Sequence, residues 1–146
     1  MSIKKLIIIG ILLISAPALA DDLMFERKEL KIISDDGKEH VFTVEVADTA
    51  KKHERGLMFR KSIPEDFGML FLFDRKMEVN MWMVNTYIPL DIAFIAPDGR
   101  ISKLVTEATP LSDEIISSDG EVSVVLELNA GTYQKLGIKK NDKVVF

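Results

Sequence analysis

Over much of the chain apolar residues recur at every second position, the period of a strand that turns one face to a core. Phe42, Val44 and Val46 share one side while Val41, Thr43 and Glu45 share the other. Val122, Val124, Leu126 and Leu128 likewise oppose Glu121, Ser123, Glu127 and Asn129. Leu30-Lys31-Ile32 alternates too, and Asp35-Asp36-Gly37 supplies the turn that makes residues 30–46 a hairpin. Met69 to Phe73 is a continuous apolar run between Gly68 and Asp74, which predicts a strand buried on both faces. Two further strands are expected over Val79 to Asn85 and Pro89 to Ile95, with a turn or bulge at Thr86-Tyr87 between them. Pro97-Asp98-Gly99 signals a reverse turn into a strand over Arg100 to Thr106, and Lys143 to Phe146 closes the chain as another. Helix is scarce. Asp48-Thr49 offers an N-cap to Ala50–Arg55, with Gly56 suited to a left-handed end, and Thr132 to Leu136 forms one turn stopped by Gly137. Glu107 to Gly120 reads as a long surface loop. Strand after strand joined by turns predicts a mainly β, single-domain antiparallel sandwich or barrel with one or two short helices.

The start of the chain breaks this pattern. Lys4 and Lys5 precede the apolar run Leu6 to Ser15, and Ala18-Leu19-Ala20 is a small-x-small cleavage site, so residues 1–20 read as a secretory signal peptide and residues 21–146 as one domain. The expected location is therefore exported, periplasmic or secreted. That apolar run is shorter than the roughly 20 residues a membrane-spanning helix needs, and no comparable run follows. Cysteine is absent, so disulfides and thiolate chemistry are excluded. Without Lys4 and Lys5 the chain keeps seventeen basic against twenty-three acidic residues, a net charge of −6. With both signs interspersed, that balance lacks the basic footprint of a nucleic-acid binder.

Four blocks carry a family resemblance: Gly56-Leu57-Met58-Phe59-Arg60; Gly68-Met69-Leu70-Phe71; Trp82-Met83-Val84-Asn85-Thr86 with Ile88-Pro89-Leu90-Asp91; and Leu126-Glu127-Leu128-Asn129-Ala130-Gly131. In this order they resemble the signature of the DUF192 family (domain of unknown function 192), over roughly residues 42–146. Val84 departs from the pattern, which usually places a basic residue after the Trp-Met pair. The resemblance implies a compact jelly-roll-like β fold, often exported, and no established activity.

The polar residues inside or beside these blocks are the candidate chemistry. Arg60, Trp82, Asn85, Thr86, Asp91, Glu127 and Asn129 would form a ligand site if the polar faces of their strands adjoin: carboxylates and amides for hydroxyls, and an aromatic face for a ring. The competing account is structural, with Arg60 paired to Asp91 or Glu127 and Asn85 and Thr86 bonding turn backbone. A hydrolase using Asp91 and Glu127 would need the two carboxyls about 5–9.5 Å apart across a cleft. His40 and His53 show no metal-ligand spacing, and the methionines, including Met81 and Met83, read as core filler rather than Cu(I) ligands. Neither a metal nor another cofactor is expected. Lys51, Lys52, His53 and Arg55 read as a solvated helix face. The expected function is a non-catalytic binding module for a carbohydrate or other small polar ligand; the alternatives are a cell-envelope protein-interaction module and a small hydrolase.

Overall fold

The computed structural model describes residues 23–146, so the expected signal segment and its cleavage site lie outside the described residues. Seven strands form one sheet: β1 (Glu26–Ile33), β2 (Glu39–Ala47), β3 (Phe67–Met81), β4 (Leu90–Ile95), β5 (Ile101–Ala108), β6 (Ile116–Asn129) and β7 (Lys143–Val145). Their spatial order is β5-β4-β6-β3-β2-β1-β7. The two edges meet at one end, where Val144 N–H donates to Gly99 O (2.8 Å) and Ile101 N–H to Asp142 O (3.0 Å). The sheet is thus a partly closed barrel. Two short helices, α1 (Ala50–Arg55) and α2 (Thr132–Leu136), fall at the expected positions. The Thr49 side chain caps α1 by accepting from Lys52 N–H at 3.3 Å.

The β1–β2 hairpin pairs from Glu26↔Val46 to Ile33↔Glu39, as its alternation predicts. One pairing departs from the antiparallel expectation. β2 and β3 run parallel, from Thr43↔Phe67 to Ala47↔Phe71, because α1 and the segment after it return the chain to the same end of the sheet. Nor do Asp74, Arg75 and Lys76 end a strand. The register against β6 jumps from Leu72↔Val124 to Met77↔Val122, so a bulge turns these charges to solvent and β3 continues to Met81. The expected strand over Val79 to Asn85 is therefore the tail of β3 followed by a turn. A second shift places extra residues on β6, where Ser118 Oγ accepts from Val79 N–H (2.9 Å) in place of a ladder partner. β6 thus begins at Ile116 and β5 reaches Ala108, which shortens the expected long loop to residues 109–115.

Both faces of the central strands are covered. The inner core draws on all seven strands, with Leu30, Phe42, Val44, Leu70, Leu126 and Leu128 among its members and Tyr133 of α2 at its side. The outer core lies on β3, β4 and β6, where Met69, Phe71, Ile92, Phe94 and Val125 meet Leu57, Met83 and Ile88 from two connecting segments. Met69, Leu70 and Phe71 are consequently buried on alternate sides, as a continuous apolar run requires. Gly68 is fixed by the closeness of β6: a Cβ there would overlap the Glu127 carbonyl oxygen and the Leu128 side chain.

Candidate functional site

Two connecting segments cover the outer core, and a cleft of about 110 Å³ opens between them. The first segment follows α1. Gly56 closes the helix at φ 46°, donating its N–H to Lys52 O (2.9 Å), and a Cβ on it would press on the Phe71 ring at 3.3 Å. Glycine is needed there for both reasons. Leu57 then drops into the outer core while Phe59, at φ 66°, stays half-exposed. His53 corrects the reading of α1 as a solvated basic face. Its Nε2 lies 2.9 Å from both Ala47 O and Leu72 O, two acceptors, so that nitrogen carries the proton, and the ring packs on Phe73 with centroids 4.5 Å apart.

The second segment is the turn after β3. Met83 and Ile88 are buried in the outer core, whereas Trp82 is 48% exposed. Asn85 takes a left-handed φ of 54°, which its short polar side chain tolerates, and its carbonyl accepts from Phe59 N–H (2.9 Å). Leu111 N–H donates to Thr86 O and Met83 N–H to Ser112 O, each at 3.1 Å, so residues 109–115 are tied to the same turn.

Gly56, Leu57, Phe71, Thr86 and Glu127 are the buried members of the cleft wall; Glu54, Arg55, Asn80 and Trp82 stand at its exposed margin. Glu127 lies on β6 opposite Met69 and Ile92, so its side chain points to the outer core. No hydrogen-bond donor among the described residues reaches its carboxyl. Burial alone pushes that carboxyl up to about 8, and at neutral pH it holds a proton.

Asp91 does not share this cleft. It sits on β4 opposite Leu128, so it points to the inner side, the reverse of Glu127. Its Oδ1 accepts from Glu107 N–H (2.9 Å) and its Oδ2 from Tyr133 N–H (3.0 Å). The proposed carboxylate pair of a hydrolase therefore has no common face, because residues one step apart in register project to opposite sides. Arg60 pairs with Glu45 of β2 rather than with Asp91 or Glu127. Asn129 donates to Ile63 O (3.2 Å) and Pro64 O (2.9 Å) and borders a different, larger cleft of about 740 Å³ beside His40 and Lys135. Of the seven expected site residues, then, Trp82, Thr86 and Glu127 converge, Asn85 shapes the turn beside them, and Arg60, Asp91 and Asn129 serve the framework. His53, Met58 and Phe71 complete the wall. Met58 and Phe71 stand in the family blocks, Met58 read with the other methionines as core filler and Phe71 without a chemical signal of its own. Among the described residues no group of three or more His, Asp or Glu is placed to hold a metal.

Several solved structures are similar, two of them as follows. A proposed transcription regulator from Sinorhizobium meliloti 1021 superposes with a TM-score of 0.83 at 42% identity, covering 85% of this chain and 96% of that one. A protein of unknown function from Novosphingobium aromaticivorans DSM 12444 gives a TM-score of 0.82 at 34% identity, covering 91% and 94%. Comparison with curated proteins gives no match. The DUF192 family model, described as "Uncharacterized ACR", matches residues 31–146, a span that takes in the whole cleft and all but the first strand's start. The chain belongs to the DUF192 family.

Proposed function

We propose that this protein is an exported, non-catalytic binding module whose ligand enters the cleft over Glu127. One observation carries the reading: a buried carboxyl with no internal partner lies where segments of all four family blocks meet, namely Gly56 to Met58, Phe71, Trp82 with Thr86, and Glu127. A buried polar group without a hydrogen bond costs about 1–3 kcal/mol, and a ligand that supplies the bond recovers it. Cleft size refines the expectation of a carbohydrate. Pockets that enclose whole small molecules measure roughly 300–1,000 Å³, so a cleft of about 110 Å³ admits a polar head group while the rest of the ligand lies against Trp82.

The test uses the single tryptophan as its own reporter. Titrating a panel of sugars, polyols, carboxamides and alkylamines while recording Trp82 emission and amide shifts should perturb residues 53–58, 80–86 and 127 together. Shifts confined to the larger cleft near Asn129 and Lys135 would place the binding site elsewhere.

A second reading, a protein-interaction module, draws on the neighbouring surface. Phe59 and Leu111 hold left-handed φ values of 66° and 62°, strained for bulky residues, while both side chains stay exposed, that of Phe59 edge-on to Tyr87. Under this reading, replacing Phe59 and Leu111 by serine abolishes cross-linking to a protein partner and leaves head-group binding at Glu127 unchanged.

A further inference from the structure

We propose that the Glu127 cleft selects an organic cation, a primary ammonium or guanidinium head group on an aliphatic stem; this rests on reading the cleft as the binding site. Three features of the wall act in the same direction. Glu127 has no donor from the protein, so both of its oxygens are available to an incoming N–H group, and an N⁺–H···O⁻ bond is about twice as strong as one between neutral partners. Phe71, Phe73 and Trp82 contribute aromatic surface, and Met58 and Met81 contribute thioethers, all of which accommodate a desolvated cation better than a desolvated anion. The volume suits an ammonium or guanidinium head better than a sugar ring.

The other charged and titratable groups do not replace the ligand. Glu54, Arg55 and His53 of α1 line the same cleft. Arg55 is exposed and rests its guanidinium 4.9 Å from the centre of the Phe59 ring, making no ion pair with Glu127. The His53 Nε2 proton is committed to two backbone carbonyls. From α2, Tyr133 donates its hydroxyl to Leu126 O (3.2 Å) and not to the Glu127 carboxyl. A cation entering the cleft therefore meets one buried unspent carboxyl, that of Glu127, with the exposed Glu54 carboxylate at the rim.

A head group that needs the ionised carboxyl must displace its proton, which gives the proposal a pH signature. With the carboxyl titrating at about 8, cation affinity should rise about tenfold between pH 7 and pH 9, with proton uptake by buffer at pH 7. An alkylammonium stays protonated across that range.

The experiment titrates n-butylammonium and its neutral isostere n-butanol into the intact protein and into Glu127→Gln, following Trp82 emission and amide shifts at pH 7 and pH 9. The expected result is at least tenfold tighter binding of butylammonium than of butanol at pH 9, lost in Glu127→Gln. Lys28→Ala, an exposed change on β1 outside the cleft, should keep the preference, and amide shifts of Glu127→Gln that are unchanged away from residues 53–58, 80–86 and 127 show that this variant is folded. Equal affinity for the two probes, or a preference that survives in Glu127→Gln, overturns the cation assignment and leaves the cleft as a binding site. If neither probe perturbs residues 53–58, 80–86 or 127 while a sugar, polyol or carboxamide does, the cation assignment falls and the binding site stands; if none of these compounds does, both readings fall.

Discussion

Asp91 and Glu127 are buried carboxyls on adjacent strands, one register step apart, yet they occupy opposite sides of the sheet and opposite chemical situations. Asp91 is filled by the backbone. It holds the amide of Glu107, a residue at φ 54° where the β4–β5 ladder slips, and the amide of Tyr133 in the first turn of α2. It thereby replaces two missing ladder and helix partners at once. Glu127 receives nothing, and burial drives its carboxyl toward the protonated form. A carboxylate surrounded by amides is part of the framework; one left without protein donors costs stability that a donor entering the cleft returns.

The largest effect should come from breaking the satisfied member. Asp91→Ala would orphan two buried amides at about 1–3 kcal/mol each and open a small void, so we expect a loss of about 4 kcal/mol in urea denaturation at unchanged m-value. A loss below about 1 kcal/mol would mean that Asp91 does not hold β5 and α2 together, and the contrast with Glu127 would collapse.

The second effect concerns pH. Glu127 titrates near 4.5 when unfolded and at about 8 when folded, so between those values the folded chain binds more protons and stability falls as pH rises. The penalty is absent below about pH 4.5 and complete above about pH 8. Relative to wild type, Glu127→Gln should be neutral at pH 4.5 and more stable at pH 9, with the difference opening between those two values. Parallel stability curves for the two proteins would show that the Glu127 carboxyl is solvated in the folded state.

Much of this contrast was hidden in the sequence for a definite reason. Alternation identified the faces of β2 and, from Val124 to Leu128, the inner face of β6, although Val122 joins the outer core with Val125; the apolar run identified the doubly buried stretch of β3, and Thr49, Gly56 and Gly137 marked the helix ends. These signals are local. Whether Asp91 and Glu127 face one another depends on the pairing register of two strands 36 residues apart, and a shift of one residue reverses the answer. The bulges in β3 and β6 were invisible for a similar reason: charged and small residues that resemble loop composition were accommodated by unequal pairing rather than by ending the strands. His53 was misread because a helix of six residues has no dry face to reveal it. Its partners are carbonyls of β2 and β3 that only the crossover brings near.

Trp82 gives the smallest expected effect and the sharpest test of where framework ends and cleft begins. A tryptophan in a core would cost about 3–5 kcal/mol on truncation. Here the ring is half-exposed and borders the cleft over Glu127, while its neighbour Met83 is the residue that fills the outer core. Trp82→Ala should therefore cost only about 1 kcal/mol, from the apolar area that the ring does cover. Its consequence for head-group binding should be larger than that for stability, because the ring forms one side of the entrance while the protein interior does not depend on it. Amide shifts report binding in this variant, which lacks the fluorescent ring. A loss in the core range with unchanged binding would move Trp82 into the framework beside Asp91, leaving Glu127 without its aromatic wall.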